Sequence, residues 1–370
     1  MDTETLNTTG NDLKPAKCSG LKKALKICAL VAAVTVLLVL LDRLLMPKYI
    51  SKNEEGALVA EYYKNAGGND VIFIGDCEVY SNFSPVKMWE EYGITSYVRG
   101  SPQQLIWQSY YLLEETFRYE KPEVVVFNVL SMKYGEPQSE AYNRLTLDGM
   151  KLSDVKLRAV KASMTEEESL ASYIFPLLRF HSRWSELSAE DVKYMFSTEP
   201  LSHNGFLMRV DVKAAGRIPT PPPLEDYSFS DTSWEYLEKI RTICENNGVR
   251  LVLIKAPTLY PPWYGDWNSQ IVEYAAAHGL EYINFLELTD EIGLDYSEDT
   301  FDAGLHLNLS GAEKMSVWFG KYLTETDGVK DRRGDAKLAA AWAEKVKFYN
   351  ETRDRQYAEL AETGSLSGYR

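Results

Sequence analysis

The stretch VIFIGDCEVYSNF, residues 71–83, decides the fold. Val71 to Ile74 form a short apolar run, rich in β-branched residues, that reads as a strand covered on both faces. Gly75 permits a sharp turn and sets Asp76, Cys77 and Glu78 at the rim of a sheet. In open α/β sheets the rim at the carboxyl ends of the strands is where ligands bind. A cysteine at that rim, in a chain with only 4, is a candidate for chemistry.

Outward from this stretch, strand and helix alternate. SPVKMWEEYG reads as a helix, ITSYVRG as a strand, QQLIWQSYYLLEETFRYE as an amphipathic helix and PEVVVFNVL as a second buried strand. The alternation resumes with WEYLEKIRTICENNG, VRLVLIKAP, WNSQIVEYAAAHG, LEYINF and LSGAEKMSVWFGKYL. Such a pattern predicts a doubly wound, mostly parallel sheet with helices on both faces. Gly248 and Gly279 stand where helices should stop, as C-terminal caps do. Between them lies no break, but from about residue 131 to 232 the pattern lapses. This interval reads as a mainly helical insertion covering one edge of the sheet, and it closes with the proline-rich RIPTPPPLEDY. Residues 327–370 read as a charged helical tail.

The chain has 370 residues, 45% of them apolar, enough for a large core. A net charge of −14 argues against nucleic acid as a partner, because binding it needs a basic surface. No CxxC spacing points to zinc or to a disulfide framework, and Cys244 in its helical run is expected to be buried and unpaired. The apolar run from Ile27 to Leu41 extends to a membrane span over residues 24–46. Lys14, Lys17, Lys22, Lys23 and Lys26 precede or enter it, so residues 1–23 are expected on the cytoplasmic side and residues 47–326 outside the membrane. The protein is thus expected to be a single-pass cell-membrane protein, with no cleavage site before MPKYI.

Only 4 histidines compete for a catalytic role. His278 precedes Gly279 at a helix end, where the dipole accounts for it, and His181 and His203 fall in the insertion. His306 lies in DTFDAGLHLNLSGAEKMSVWFG, a loop feeding the last core helix, which Asn308 or Ser310 can cap.

Taken together, Gly75-Asp76-Cys77, Gly100 in VRGSPQQ, Asn128 in VVVFNVLSMKY and His306 resemble the ordered motif blocks of the SGNH (GDSL-type) hydrolases. The resemblance covers roughly Val71 to Leu323 without the insertion, and Cys77 stands where the family has serine. It implies a flavodoxin-like three-layer α/β/α sandwich. It also implies Cys77 as nucleophile, His306 as base, and Gly100 and Asn128 as oxyanion donors. The family's Asp-x-x-His is absent, since Ala303 lies three residues before His306; Asp302 is expected to orient the imidazole ahead of Asp299. Neither a cofactor nor a metal is implied.

Trp263, Tyr264 and Trp267 in the loop after VRLVLIKAP suit a sugar, and Lys255 suits an anionic substrate. Membrane-anchored envelope members of the superfamily imply a membrane-bound O-acyltransferase partner and an acylated surface glycopolymer. The expectation is therefore an acyl esterase or O-acyltransferase acting on cell-envelope polysaccharide through an acyl-Cys77 enzyme. The rival, of a different class, is a non-catalytic polysaccharide-binding or scaffold protein on the same fold.

Overall fold

Alternate residues of one strand point to opposite faces, and in this protein both faces are apolar. A computed structural model describes residues 18–49, 52–197, 199–217 and 220–368. The strands are β1 (Val71–Gly75), β2 (Ser96–Gly100), β3 (Val124–Asn128), β4 (Arg250–Lys255) and β5 (Glu281–Asn284). They form one parallel sheet in the order β2-β1-β3-β4-β5. Ile72, Ile74, Val125, Phe127, Leu251 and Leu253 face one hydrophobic cluster, while Val71, Phe73, Val124, Val126, Val252 and Ile254 face another.

Helices cover both faces. The first cluster is completed by α3 (Ile106–Tyr119), α4 (Asp231–Asn247) and α5 (Gly265–His278). The second is completed by α2 (Cys77–Asn82) and α6 (Leu309–Glu325). Gly248 and Gly279 end α4 and α5 in left-handed conformation, with φ of 62° each, as glycine at a helix terminus allows. Cys244 is buried on α4 and free.

The chain runs from β1 to β2 on one side and then crosses to β3 on the other. The carboxyl ends of β1 and β3 therefore flank a switch point, where the loops diverge and leave a crevice. β2 is an edge strand, and such edges need cover. Here the insertion supplies it: the Val98 amide donates to the Asn204 carbonyl (2.9 Å), and Asn204 Nδ2 donates to the Ser96 carbonyl (3.0 Å). A Cβ on Gly205 would collide with the Val98 carbonyl, so a side chain there would push the cover off.

Before the sheet stands α1 (Cys18–Leu45), whose segment Gly20–Leu45 contains an 18-residue stretch with a mean hydropathy of 2.7 that is not buried in the protein. Its 26 residues span about 39 Å, long and apolar enough to cross a membrane. The expected cytoplasmic residues up to 17, with Lys14 and Lys17, lie outside the described residues, as do Ile218 and Pro219 of the proline-rich joint. At the other end, α7 (Ala336–Thr363) is docked on the domain. Trp342 stacks on Trp89 at 5.0 Å between centroids, and Gln356 Nε2 donates to the Met208 carbonyl (3.0 Å).

Candidate functional site

The ends of β1, β2 and β3 come together because two of them end in glycine. A Cβ on Gly75 would lie 2.9 Å from that of Asn128, and one on Gly100 would lie 2.9 Å from Val79 and 3.0 Å from the Asp76 carbonyl oxygen. Gly100 and Asn128 thus stand beside the Asp76-Cys77 turn. Asp76 caps α2, its carboxylate accepting from the Glu78 amide at 3.1 Å.

Glu78 points inward and is 1% exposed. Lys255 Nζ donates to its two carboxylate oxygens at 2.8 and 3.1 Å, and the Thr258 hydroxyl donates to it as well. Lys255 Nζ also donates to the Ala256 carbonyl (2.7 Å) and to Thr258 Oγ1 (3.1 Å). The expected role of Lys255 in meeting an anionic substrate is therefore corrected. Its ammonium is 0% exposed and is consumed by an internal ion pair.

Asn128 is drawn into the same network. Its Nδ2 donates to Asp76 Oδ1 (3.2 Å) and to Glu78 Oε2 (2.8 Å), and its Oδ1 accepts from the Ala256 amide (3.2 Å). An amide nitrogen carries two hydrogens, and both are committed to carboxylates. This corrects the expectation of Asn128 as an oxyanion donor in the resting site.

Cys77 is partly exposed at the first position of α2. Burial of its sulfur pushes the thiol well above its ordinary range, and the Asp76 and Glu78 carboxylates push it further. Two features act the other way. The backbone N–H of Gln103 donates to the sulfur, and the Lys133 ammonium is within electrostatic reach. Gln103 takes a left-handed φ of 50°, which turns the loop after β2 over the cysteine. Lys133 was not among the residues singled out from the sequence. It follows Asn128 by a single 3-10 turn, Val129–Lys133, and burial lowers its pKa while Asp76, Glu78 and Cys77 raise it. Its only sequence signal is that place, just past a strand end. Tyr134, beside it, is pushed up to about 12 by burial, with Asp76 and Cys77 contributing.

Asp302, rather than Asp299, partners His306. Asp302 Oδ2 lies 2.6 Å from His306 Nδ1, and Oδ1 accepts from the His306 amide at 2.7 Å. Ala303 and Gly304 have φ of 67° and 100°, so the loop turns tightly enough for a spacing one residue longer than Asp-x-x-His. Asp299 instead accepts from Lys314 Nζ (2.6 Å) and from the Asp295 amide (2.8 Å). With Nδ1–H assigned to Asp302 by this contact, Nε2 is the basic nitrogen; it is buried and has no hydrogen-bond partner among the described residues. Asn308 caps α6 through the Gly311 amide (3.2 Å), in place of Ser310.

The structure does not join Cys77 to His306 by a hydrogen bond, since Nε2 is without one. It joins their elements: Asn82, at the end of the helix that Cys77 begins, accepts from the Leu307 amide at 3.0 Å.

Trp263, Tyr264 and Trp267 turn onto one another and onto residues 222–229 rather than forming an open platform. Trp263 and Trp267 stack on Phe229 at 6.1 and 5.8 Å, and the Tyr264 hydroxyl donates to the Pro222 carbonyl at 2.9 Å. Among the described residues none of the three makes a ring contact or hydrogen bond with Cys77 or His306. Their expected substrate-binding role has no geometric support in this arrangement.

Chemically, the rim offers a neutral thiol under a backbone N–H, a nearby ammonium, and an oriented imidazole with one free basic nitrogen. Compared with known proteins, the chain matches no family model and no curated protein.

Proposed function

We propose that this chain is a membrane-anchored, SGNH-like acyl esterase or O-acyltransferase that modifies cell-envelope polysaccharide through an acyl-Cys77 intermediate. The observation that carries the reading is the Asp302–His306 pair with an unpartnered Nε2, on a loop tied to the helix that begins with Cys77. The strand order β2-β1-β3-β4-β5 supports it, being that of flavodoxin-like sheets with their sites at the switch point. On this reading α1 is a single-pass anchor, with Lys22, Lys23 and Lys26 on the cytoplasmic side and the domain outside.

In the first step His306 Nε2 takes the thiol proton as Cys77 Sγ attacks the donor's acyl carbon. The C–S bond forms, the bond to the donor's leaving group breaks, and the leaving group departs with the proton from Nε2. In the second step a carbohydrate hydroxyl gives its proton to Nε2 and attacks the thioester; the new ester forms, and the sulfur leaves and regains the proton. On this reading the Lys133 ammonium would stabilise the oxyanion, joined by the Gln103 N–H once C–S bond formation releases it from the sulfur. A membrane-bound O-acyltransferase partner would deliver the acyl group across the bilayer.

The committed Asn128 amide and the raised Cys77 thiol favour a second reading, a polysaccharide-binding scaffold without turnover. Intact-mass analysis of the full chain after exposure to activated acyl esters separates the two. A mass gain lost in Cys77→Ala, together with loss of envelope acylation in cells, is expected. Unchanged acylation in Cys77→Ala cells overturns the enzyme reading.

A further inference from the structure

Outside α1, large exposed apolar side chains concentrate on one short stretch of the insertion. Phe175 is 64% exposed, Leu178 58%, Trp184 72%, Val192 50% and Phe196 63%. They lie in, or one residue past, a run of short elements, Leu170–Ile174, Leu177–Phe180, His181–Ser185 and Ala189–Met195. Large apolar side chains exposed along consecutive elements in this way are unfavourable in water and mark a surface that meets something.

Three of these elements, Leu177–Phe180, His181–Ser185 and Ala189–Met195, pack on the end of α1. Arg183 Nη1 donates to the Leu45 carbonyl at 2.6 Å, satisfying an end-of-helix acceptor, and Leu45 and Met46 are buried there. Lys52, just past the helix, is held by Glu190 at 2.9 Å. The patch is therefore fixed at the level where an apolar span gives way to the polar chain. The stretch is charge-balanced, with Arg179, Arg183 and Lys193 matched by Glu186, Glu190 and Asp191, so its exposed Trp, Phe and Leu, residues that settle at the boundary of headgroups and acyl chains, are what would favour the lipid interface.

We propose that residues 170–196 are a membrane-docking surface that lays Phe175, Leu178, Trp184, Val192 and Phe196 into the outer lipid interface beside α1. The inference rests on the reading of α1 as a membrane span. It has a consequence for the site. Tyr49, four residues beyond the end of α1, lines one small crevice with Pro102 of the loop after β2, so docking holds the Cys77 rim close to the bilayer. An acyl group delivered through the membrane then has a short path to the thiol.

The full chain is reconstituted in phosphatidylcholine–phosphatidylglycerol vesicles whose acyl chains are brominated either near the carbonyl or near the tail. Tryptophan quenching is compared between the natural chain and Trp184→Phe, a change at an exposed position that leaves the fold intact. Trp184 is expected to contribute a blue-shifted share of emission, quenched more by bromine near the carbonyl, and Trp184→Phe loses that share. Val34→Trp in the Trp184→Phe chain reports on the span separately. If Val34→Trp is quenched and Trp184 is not, the anchor stands and the docking surface is wrong. If neither is quenched, the anchor reading fails with it. If Trp184 is shielded from aqueous iodide yet untouched by bromolipids, and the shielding fades on dilution in lipid, the patch meets a second copy and the proposal is overturned.

Discussion

Replacing Glu78 by glutamine tests the idea that the rim is held together by a buried ion pair. Glu78 is 1% exposed and Lys255 0%, and the carboxylate accepts from Lys255, Thr258 and Asn128. A glutamine amide has one oxygen, so it serves either the Lys255 and Thr258 side or the Asn128 side. Its NH₂ must then face a donor on the other. In either orientation Lys255 loses the negative charge that neutralises it, and with the oxygen turned to Asn128 it keeps only the Ala256 carbonyl and Thr258 oxygen around a buried charge. Breaking one partner of such a pair costs about 3–5 kcal/mol. That is a large part of an ordinary domain's stability, and it lowers the melting temperature by on the order of 10 °C. Glu78→Gln/Lys255→Met removes the stranded ammonium and should recover at least half of the loss. Denaturant unfolding of the four chains of the double-mutant cycle gives the coupling directly. The same substitution removes a carboxylate from beside Cys77 while its cations remain, so alkylation of Cys77 by iodoacetamide should move to lower pH, with Cys77→Ala as blank. A loss below about 1 kcal/mol for Glu78→Gln, or a double mutant no better than the single, would refute the reasoning.

Asp302→Asn should slow acyl transfer by roughly 10²–10⁴-fold, because the imidazole loses the partner that fixes its tautomer; Asp299→Asn should leave the rate of thioester formation within about threefold, since it touches Lys314 and not His306. Lys133→Gln removes a cation that favours the thiolate, so the iodoacetamide profile of Cys77 should move to higher pH and acyl-enzyme formation should slow. Burial, with Glu78 beside it, pushes the Asp76 carboxyl from 3.8 up to about 6. A carboxyl raised in this way holds its proton more tightly in the folded state. Its contribution to stability is full below the ordinary value of 3.8 and is lost as pH rises through about 6. Asp76→Asn, which keeps a good helix cap, should therefore flatten the fall in urea midpoint across that window; an unchanged slope would show that Asp76 is not the group titrating.

The sheet was legible because its strands are short apolar runs that end in glycine or a polar residue, and its helices because their apolar faces recur at 3.6 residues. The misread residues share one cause, long-range pairing. Lys255 at the end of an apolar strand looks like a surface cation until Glu78, from a different crossover, is seen to fold against it. Asn128 looks like a free amide for the same reason. The His306 loop was ambiguous between two aspartates because nothing in the sequence marks Ala303 as left-handed. The docking of α7 was hidden because Trp342 finds its stacking partner, Trp89, at the far end of the domain's sequence. Distances along the chain could not reveal any of these.

Two carboxylates beside a nucleophile look unfavourable for catalysis, yet each has a structural duty: Asp76 caps α2 and Glu78 neutralises Lys255. Their effect on sulfur chemistry has two sides. On the proposed reading, a thiol held protonated attacks only when a base takes its proton, which is the part assigned to His306, and the resting cysteine is less open to oxidation. A sulfur with a raised pKa is also a poorer leaving group, so its thioester is slower to surrender the acyl group to any nucleophile. Water, which is always present, gains least from this, because it finds no binding energy at the rim. A carbohydrate hydroxyl held beside Nε2 recovers the lost rate through proximity. On the proposed reading, the environment that slows Cys77 therefore favours transfer to a bound acceptor over hydrolysis, and it gives a physical reason for cysteine, rather than serine, after Gly75-Asp76.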